Sequence, residues 1–152
     1  MQLLSCDFED DYSLIGIHST EEDYRLAYLI NKHLKTKFNR FKHPLDFKDS
    51  DAEFPLFEYK DEANFMNYYL INNKHIQYVN NTETGGLFGG NYTSTSYLIP
   101  EKKKIDFFLK IEGGDHENYI QEIIGNLKSI SQIITSYSVE LTTLKSKDHL
   151  IF

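Results

Sequence analysis

Tryptophan is absent from this 152-residue chain, and cysteine occurs once, at Cys6. A lone cysteine excludes a disulfide framework within the chain and suits a reducing compartment. Nowhere do about 18 apolar residues run together, so no membrane-spanning helix is expected. The opening Met1 to Cys6 has neither a basic region nor a useful apolar stretch, so no secretory leader is read and a cytoplasmic location is expected. There is no internal repeat, linker or low-complexity stretch. One domain over residues 1–152 is therefore expected, and a chain of this size buries roughly 68–70% of its unfolded surface.

Aromatic residues and acids are what the chain does have. It carries 11 Tyr and 11 Phe, which favour strands, and its formal net charge is −7. A net charge of that sign argues against non-specific DNA binding as the main task, because such binding needs a broad basic surface. The charge is unevenly placed. Residues 1–23 hold seven acids and no Lys or Arg, residues 24–48 sum to +6, and residues 49–62 return to −5. Alternation of this kind can leave a local basic face on an acidic protein.

Period and punctuation predict the elements. Tyr12 to His18 reads as a strand despite Gly16, with residues 3–8 as a partner strand or as a bulged continuation. Ser19 and Glu22 stand three apart as a capping box does, and Leu26, Leu29, Ile30, His33 and Leu34 share one face. That predicts a helix over about 20–36. Residues 38–48 read as extended and interrupted at His43-Pro44, residues 49–53 as a polar turn, and Phe54 to Tyr59 and 65–72 as strands. Residues 73–94 have loop composition, and a strand follows at 95–99. Ile105, Phe107, Leu109 and Ile111 alternate with Asp106, Phe108 and Lys110, as a strand requires. After Gly113-Gly114, Asp115 is a good N-cap. Tyr119, Ile120, Ile123, Ile124 and Leu127 form a second helical face, and 131–141 reads as a last strand. The expected architecture is α+β: an antiparallel, meander-like sheet of about five to seven strands with two helices packed on one face.

Residues 97–108 read Tyr-Leu-Ile-Pro-Glu-Lys-Lys-Lys-Ile-Asp-Phe-Phe. This resembles the signature of the IPExxVDY family of Bacteroidetes bacteria, carried here by Ile99, Pro100, Glu101, Ile105, Asp106 and Phe107. Ile105 and Phe107 stand where the signature has Val and Tyr, and three lysines precede Ile105. The acidic opening, Glu22 to Leu26, Asn31 to Leu34, Glu58-Tyr59 and Tyr69 to Ile71 extend the likeness along most of the chain. The resemblance brings no assigned activity. Genes of that family tend to lie near those for acyl carrier protein and ribonuclease III, which implies a neighbourhood and not a mechanism; together with the basic stretches it makes the acidic acyl carrier protein a candidate partner. Physically, Pro100 can end a strand and aim a turn, and Glu101 can accept a backbone hydrogen bond or pair with a lysine. Asp106 needs a partner if it turns inward.

Candidate chemistry is sparse. His18, His33, His43, His75, His116 and His149 show no zinc spacing with one another or with Cys6. Cys6 beside Asp7 has the wrong charge environment for a nucleophile. The run Gly85 to Gly90 lacks the Lys-Ser or Lys-Thr of a phosphate loop. Acids crowd Gly113-Gly114 and would repel an anion there. No cofactor and no enzymatic activity are expected. The best lead is the basic-aromatic stretch Lys35, Lys37, Phe38, Arg40, Phe41, Lys42 and His43, with Lys102, Lys103 and Lys104 as a second basic group. A packed strand with its phenylalanines inward and its lysines in water is the plain alternative. The functional expectation is a non-enzymatic binding or adaptor protein with a protein partner; RNA binding through 35–43 is the alternative. Edge strands leave a homodimer open.

Overall fold

The computed structural model describes residues 12–47, 50–80, 91–113 and 117–152. Residues 3–8, Cys6, the glycine run 85–90, Asp115 and His116, all singled out in the sequence, lie outside them.

The fold is α+β, as the composition and periodicity predict. In chain order the strands are β1 (Tyr12–Ser19), β2 (Asn39–Arg40), β3 (Leu45–Phe47), β4 (Ser50–Phe54), β5 (Leu56–Asp61), β6 (Met66–Asn72), β7 (Lys74–Asn80), β8 (Asn91–Tyr97), β9 (Phe107–Glu112) and β10 (Ile133–Ser138). The helices are α1 (Asp23–Leu34) and α2 (Glu117–Lys128). Among the described residues six strands form one sheet in the order β10-β1-β9-β6-β5-β2, every pairing antiparallel. β3 with β4 and β7 with β8 form separate two-stranded ribbons.

Both helices lie on one face of the sheet. Ile15, Ile17, Leu70, Leu109 and Ile111 pack there against Leu26, Ile30, Ile123 and Leu127. The other face is a second core, a feature the periodicity does not predict. Leu14, Leu56, Ile71 and Phe108 are covered by Ala52, Phe54, Leu98, Ile99, Ile105, Leu144 and Leu150. This explains why β9 is buried along Phe107 to Ile111 instead of alternating. Gly16 belongs to the same packing. A Cβ there would stand 2.8 Å from Ile105 Cδ1 and 3.2 Å from Val139 Cγ2, so the missing side chain is what lets these two close over β1.

Ile105 is the exception to the predicted period of β9. It precedes the strand and packs in the second core, while Phe107, Leu109 and Ile111 face the helices. Lys110 is 3% exposed on the face that the alternation assigns to polar residues. Its Nζ donates to Leu150 O at 2.6 Å and lies 3.5 Å from Glu112 Oε2. The rings of Phe152 and Tyr12 stand 4.2 and 4.8 Å from it. A buried ammonium is tolerated only with such partners, so Lys110 ties the chain's last residues onto the sheet.

Four features differ from the sequence expectation. The helix predicted over about 20–36 begins at Asp23, with Glu22 as N-cap and no capping side chain. Ser19 is the last residue of β1 instead; its Oγ donates to Gln132 O at 2.9 Å, and its N–H donates to Asp106 Oδ2 at 2.9 Å. Tertiary partners have claimed the capping residue. His33, assigned to the apolar face of α1, is exposed. The predicted turn 49–53 is mostly strand β4, where buried Ala52 and Phe54 flank exposed Glu53 with period two. The loop predicted at 73–94 contains β7 and most of β8, a ribbon that leaves the main sheet.

Candidate functional site

The basic stretch sits where α1 hands the chain to the sheet. Lys35 caps α1 in the left-handed conformation (φ 57°) and reverses the chain. Asn31 then holds the emerging segment in place. Its Oδ1 accepts the Phe38 N–H at 2.8 Å, its Nδ2 donates to Phe38 O at 3.2 Å, and Thr36 Oγ1 donates to the same Oδ1 at 2.8 Å. The chain continues as β2 on the outer edge of β5, in the register Asn39↔Glu58 and Arg40↔Phe57.

That register assembles an open groove of about 550 Å³ lined by Lys37, Asn39, Arg40, Phe41, Lys42, His43, Glu58, Tyr59 and Lys60. Four lysine and arginine side chains face one carboxylate, on a protein whose net charge is −7. Lys37, Arg40, Lys42 and Lys60 are all exposed. Phe38 is 6% exposed and packs 5.8 Å from the Tyr59 ring, as the plain structural alternative expects. Phe41 does not follow it: at 41% exposure it is an apolar face left among cations. Tyr59 stacks on Tyr68 at 5.3 Å, and Tyr68 hydrogen-bonds Tyr119, so the groove wall is braced from the helix-side core. Burial, then the Asp61 charge and Tyr119, push the Tyr59 phenol up from its ordinary value.

Of the residues the sequence singles out, Lys37, Arg40 and Lys42 converge on this groove and Lys35 stands outside it. Lys60, Glu58 and Tyr59 complete it, and sequence reasoning misses them; only the β2–β5 register brings them in. Lys102, Lys103 and Lys104 do not join it. They line a separate depression of about 440 Å³ with Pro100, Glu101, Ile105 and Tyr137. Since Tyr137 belongs to β10, the two basic groups flank opposite margins of the sheet, roughly 24 Å apart at five interstrand spacings.

The Ile-Pro-Glu segment is tied down at every member. Ile99 is fully buried and its N–H donates to Asn73 Oδ1 at 2.8 Å. Pro100 opens a 3-10 turn, Pro100–Lys102. The Glu101 carboxylate accepts the Ser146 N–H at 2.6 Å, the Ser146 hydroxyl at 3.0 Å and the Lys145 N–H. Burial alone would raise the Glu101 carboxyl, but these bonds and its own N–H together hold it below the usual carboxylate range. Asp106 is half-buried; its carboxylate accepts from Ser19, its N–H donates to Ile17 O at 3.1 Å, and its carbonyl accepts the Asn73 N–H at 3.0 Å.

The histidines are dispersed. His18 Nε2 lies 2.8 Å from the Tyr137 hydroxyl, and His149 Nδ1 lies 2.7 Å from Leu98 O. Among the described residues no group of three or more His, Cys, Asp or Glu is placed to hold a metal ion, and no helix is long and apolar enough to cross a membrane. The chain matches no protein-family model, no curated protein and no solved structure.

Proposed function

We propose that this is a non-enzymatic binding or adaptor protein that captures an acidic protein partner in the groove between β2 and β5. One observation carries it: on an acidic molecule, four exposed cations surround a single carboxylate and an exposed phenylalanine, on a scaffold braced from behind. Like charges are gathered against their mutual repulsion, which is what a surface complementary to an acidic partner requires. The resemblance to the IPExxVDY family offers acyl carrier protein as the candidate. RNA is the second reading, favoured by Phe41 and Tyr59 as stacking faces among the cations.

The test is direct titration by calorimetry with purified acyl carrier protein and, separately, single-stranded RNA. Acyl carrier protein is expected to bind, and Arg40→Glu with Lys42→Glu should weaken it by about tenfold or more. Tight RNA binding that falls steeply with salt would replace this proposal with the second reading. Saturation of neither ligand would remove the groove as a binding site for both.

A further inference from the structure

Both helices lie on one face of the sheet, and a cleft of about 180 Å³ opens between them. α1 contributes Ile30 and Leu34, one turn apart. α2 contributes Tyr119, Glu122, Ile123 and Asn126 at 0, +3, +4 and +7, which is one stripe of that helix. Beneath them lie Tyr68 of β6 and Leu109 of β9, neighbouring strands of the sheet. Ile30, Leu109 and Ile123 are buried, Leu34 is half-buried, and Glu122 and Asn126 are exposed, so the bottom is apolar and the rim polar. The Tyr68 and Tyr119 hydroxyls bond each other. An apolar cavity of about 150 Å³ takes a benzene ring, so this cleft suits one ring or a chain of about six carbons.

Three features give the cleft one electrostatic sign. Glu122 is the one charged side chain that lines it, and it forms no ion pair among the described residues. Phe38, Tyr68 and Tyr119 add three rings, the first two edge-on at 6.2 Å, and aromatic faces attract cations. Leu34 is the last residue of α1, so the negative end of that helix lies at the same rim. The Thr36 hydroxyl, also in the lining, already donates to Asn31 Oδ1 and offers a ligand only lone pairs. Lys32 and Lys35 are exposed and do not line the cleft. We propose that the cleft between α1 and α2 binds a small apolar amine, with its hydrocarbon body on Ile30, Leu109 and Ile123 and its ammonium at the rim beside Glu122. A carboxylate or phosphate of the same size would bring the wrong charge to Glu122 and to the helix end. The site does not rest on what the β2–β5 groove binds, although the two share a wall: Phe38 and Tyr68 line the cleft, and Tyr59, stacked on Tyr68, lines the groove.

The experiment uses the full chain and three probes that share a ring and differ in the head: benzylamine, benzyl alcohol and benzoate, titrated near neutral pH and followed by methyl NMR. Nuclear Overhauser contacts from the benzylamine ring to the methyl groups of Ile30, Leu109 and Ile123 are expected. Affinity should fall from benzylamine to benzyl alcohol to benzoate, by about tenfold between the first and the last. Glu122→Gln, at an exposed position, should lower benzylamine to the level of benzyl alcohol and leave benzyl alcohol unchanged. Leu34→Trp fills the cleft from its rim and should remove binding of all three probes. Absence of contacts to those methyl groups at the highest soluble benzylamine concentration would overturn the proposal, as would contacts confined to the acidic residues Glu21 to Asp23, and this holds even if Leu34→Trp does not fold. So would benzoate binding as tightly as benzylamine, or a Glu122→Gln variant that keeps the full preference for the amine.

Discussion

Asn73 is fully buried between β6 and β7, and its side chain closes the whole Ile99–Asp106 segment. Its Nδ2 donates to Lys102 O at 2.9 Å and to Ile105 O at 2.8 Å, while Oδ1 accepts from Ile99. Asn73→Ala strands two groups at once, the Ile105 carbonyl and the Ile99 N–H, while Lys102 O keeps the Ile105 N–H at 3.1 Å. Each buried orphan costs about 1–3 kcal/mol, so a loss of about 3 kcal/mol is expected in urea denaturation. Asn73→Asp keeps the acceptor but loses both donations, and should recover only a minor part of it. Asn73 is invisible in the sequence, where it reads as the start of a loop. Its partners lie far along the chain, and no local period records a side chain that bonds at that separation. Glu101 and Asp106 are legible because a carboxylate after Ile-Pro, or inside an apolar strand, is conspicuous by type. What each of them touches is not.

Elements with a buried face are readable, and those without one are not. α1 and α2 each put four apolar residues on one stripe, so their existence follows from spacing, although tertiary partners of Ser19 move the start of α1 to Asp23. β7 shows no buried stripe: Ile76 and Tyr78 are exposed, and the ribbon is held by pairing with β8. Cross-strand pairing leaves no hydrophobic period, which is why 73–94 has loop composition. The basic groove is half legible for the same reason: Lys37, Arg40 and Lys42 are close together in the chain, whereas Lys60 arrives only through register. The tail 141–152 is the element whose attachment gives a pH dependence. Glu101 holds it through Ser146 and Lys145, and its native pKa is depressed below the ordinary 4.5. A depressed carboxyl contributes stability above its unfolded pKa, and the contribution is lost as pH falls through the native value. Exchange protection of the Lys145 and Ser146 amides should therefore be constant above about pH 5 and fade in more acidic solution. Glu101→Gln should remove both the protection and its pH dependence. Persistence of full protection in that variant would show that buried Leu144 and Leu150, with the Lys110 bond to Leu150 O, pin the tail without the carboxylate.

Across the whole molecule, one strand carries phenols into both cores. Tyr68 of β6 faces the helices and Tyr69, its neighbour, faces the second core. Burial, then the hydrogen bond to Tyr119, pushes the Tyr68 phenol far up. Burial, then the Glu112 and Glu58 charges, pushes Tyr69 up to about 12. Below pH 10, the ordinary value, both phenols are protonated whether the chain is folded or not, and they add no pH dependence. Above it the unfolded chain releases both protons and the folded chain keeps them. Each raised phenol therefore contributes stability that is complete below the unfolded pKa and is lost as pH rises towards the native one. The folding equilibrium constant should fall by about tenfold per pH unit for each group between pH 10 and the onset of native titration. Because the two phenols anchor opposite faces of one sheet, the loss should appear as a single cooperative transition and not as the separate release of one layer. Tyr68→Phe removes one of the raised phenols and should make that decline shallower, while Tyr69 continues to titrate near 12. Thermal melts from pH 9 to 11.5, read by far-ultraviolet circular dichroism and by tyrosinate absorbance together, check this. Coincident curves with a shallower pH slope in Tyr68→Phe are expected. Separated curves would mean that the helix layer and the tail layer come off the sheet independently.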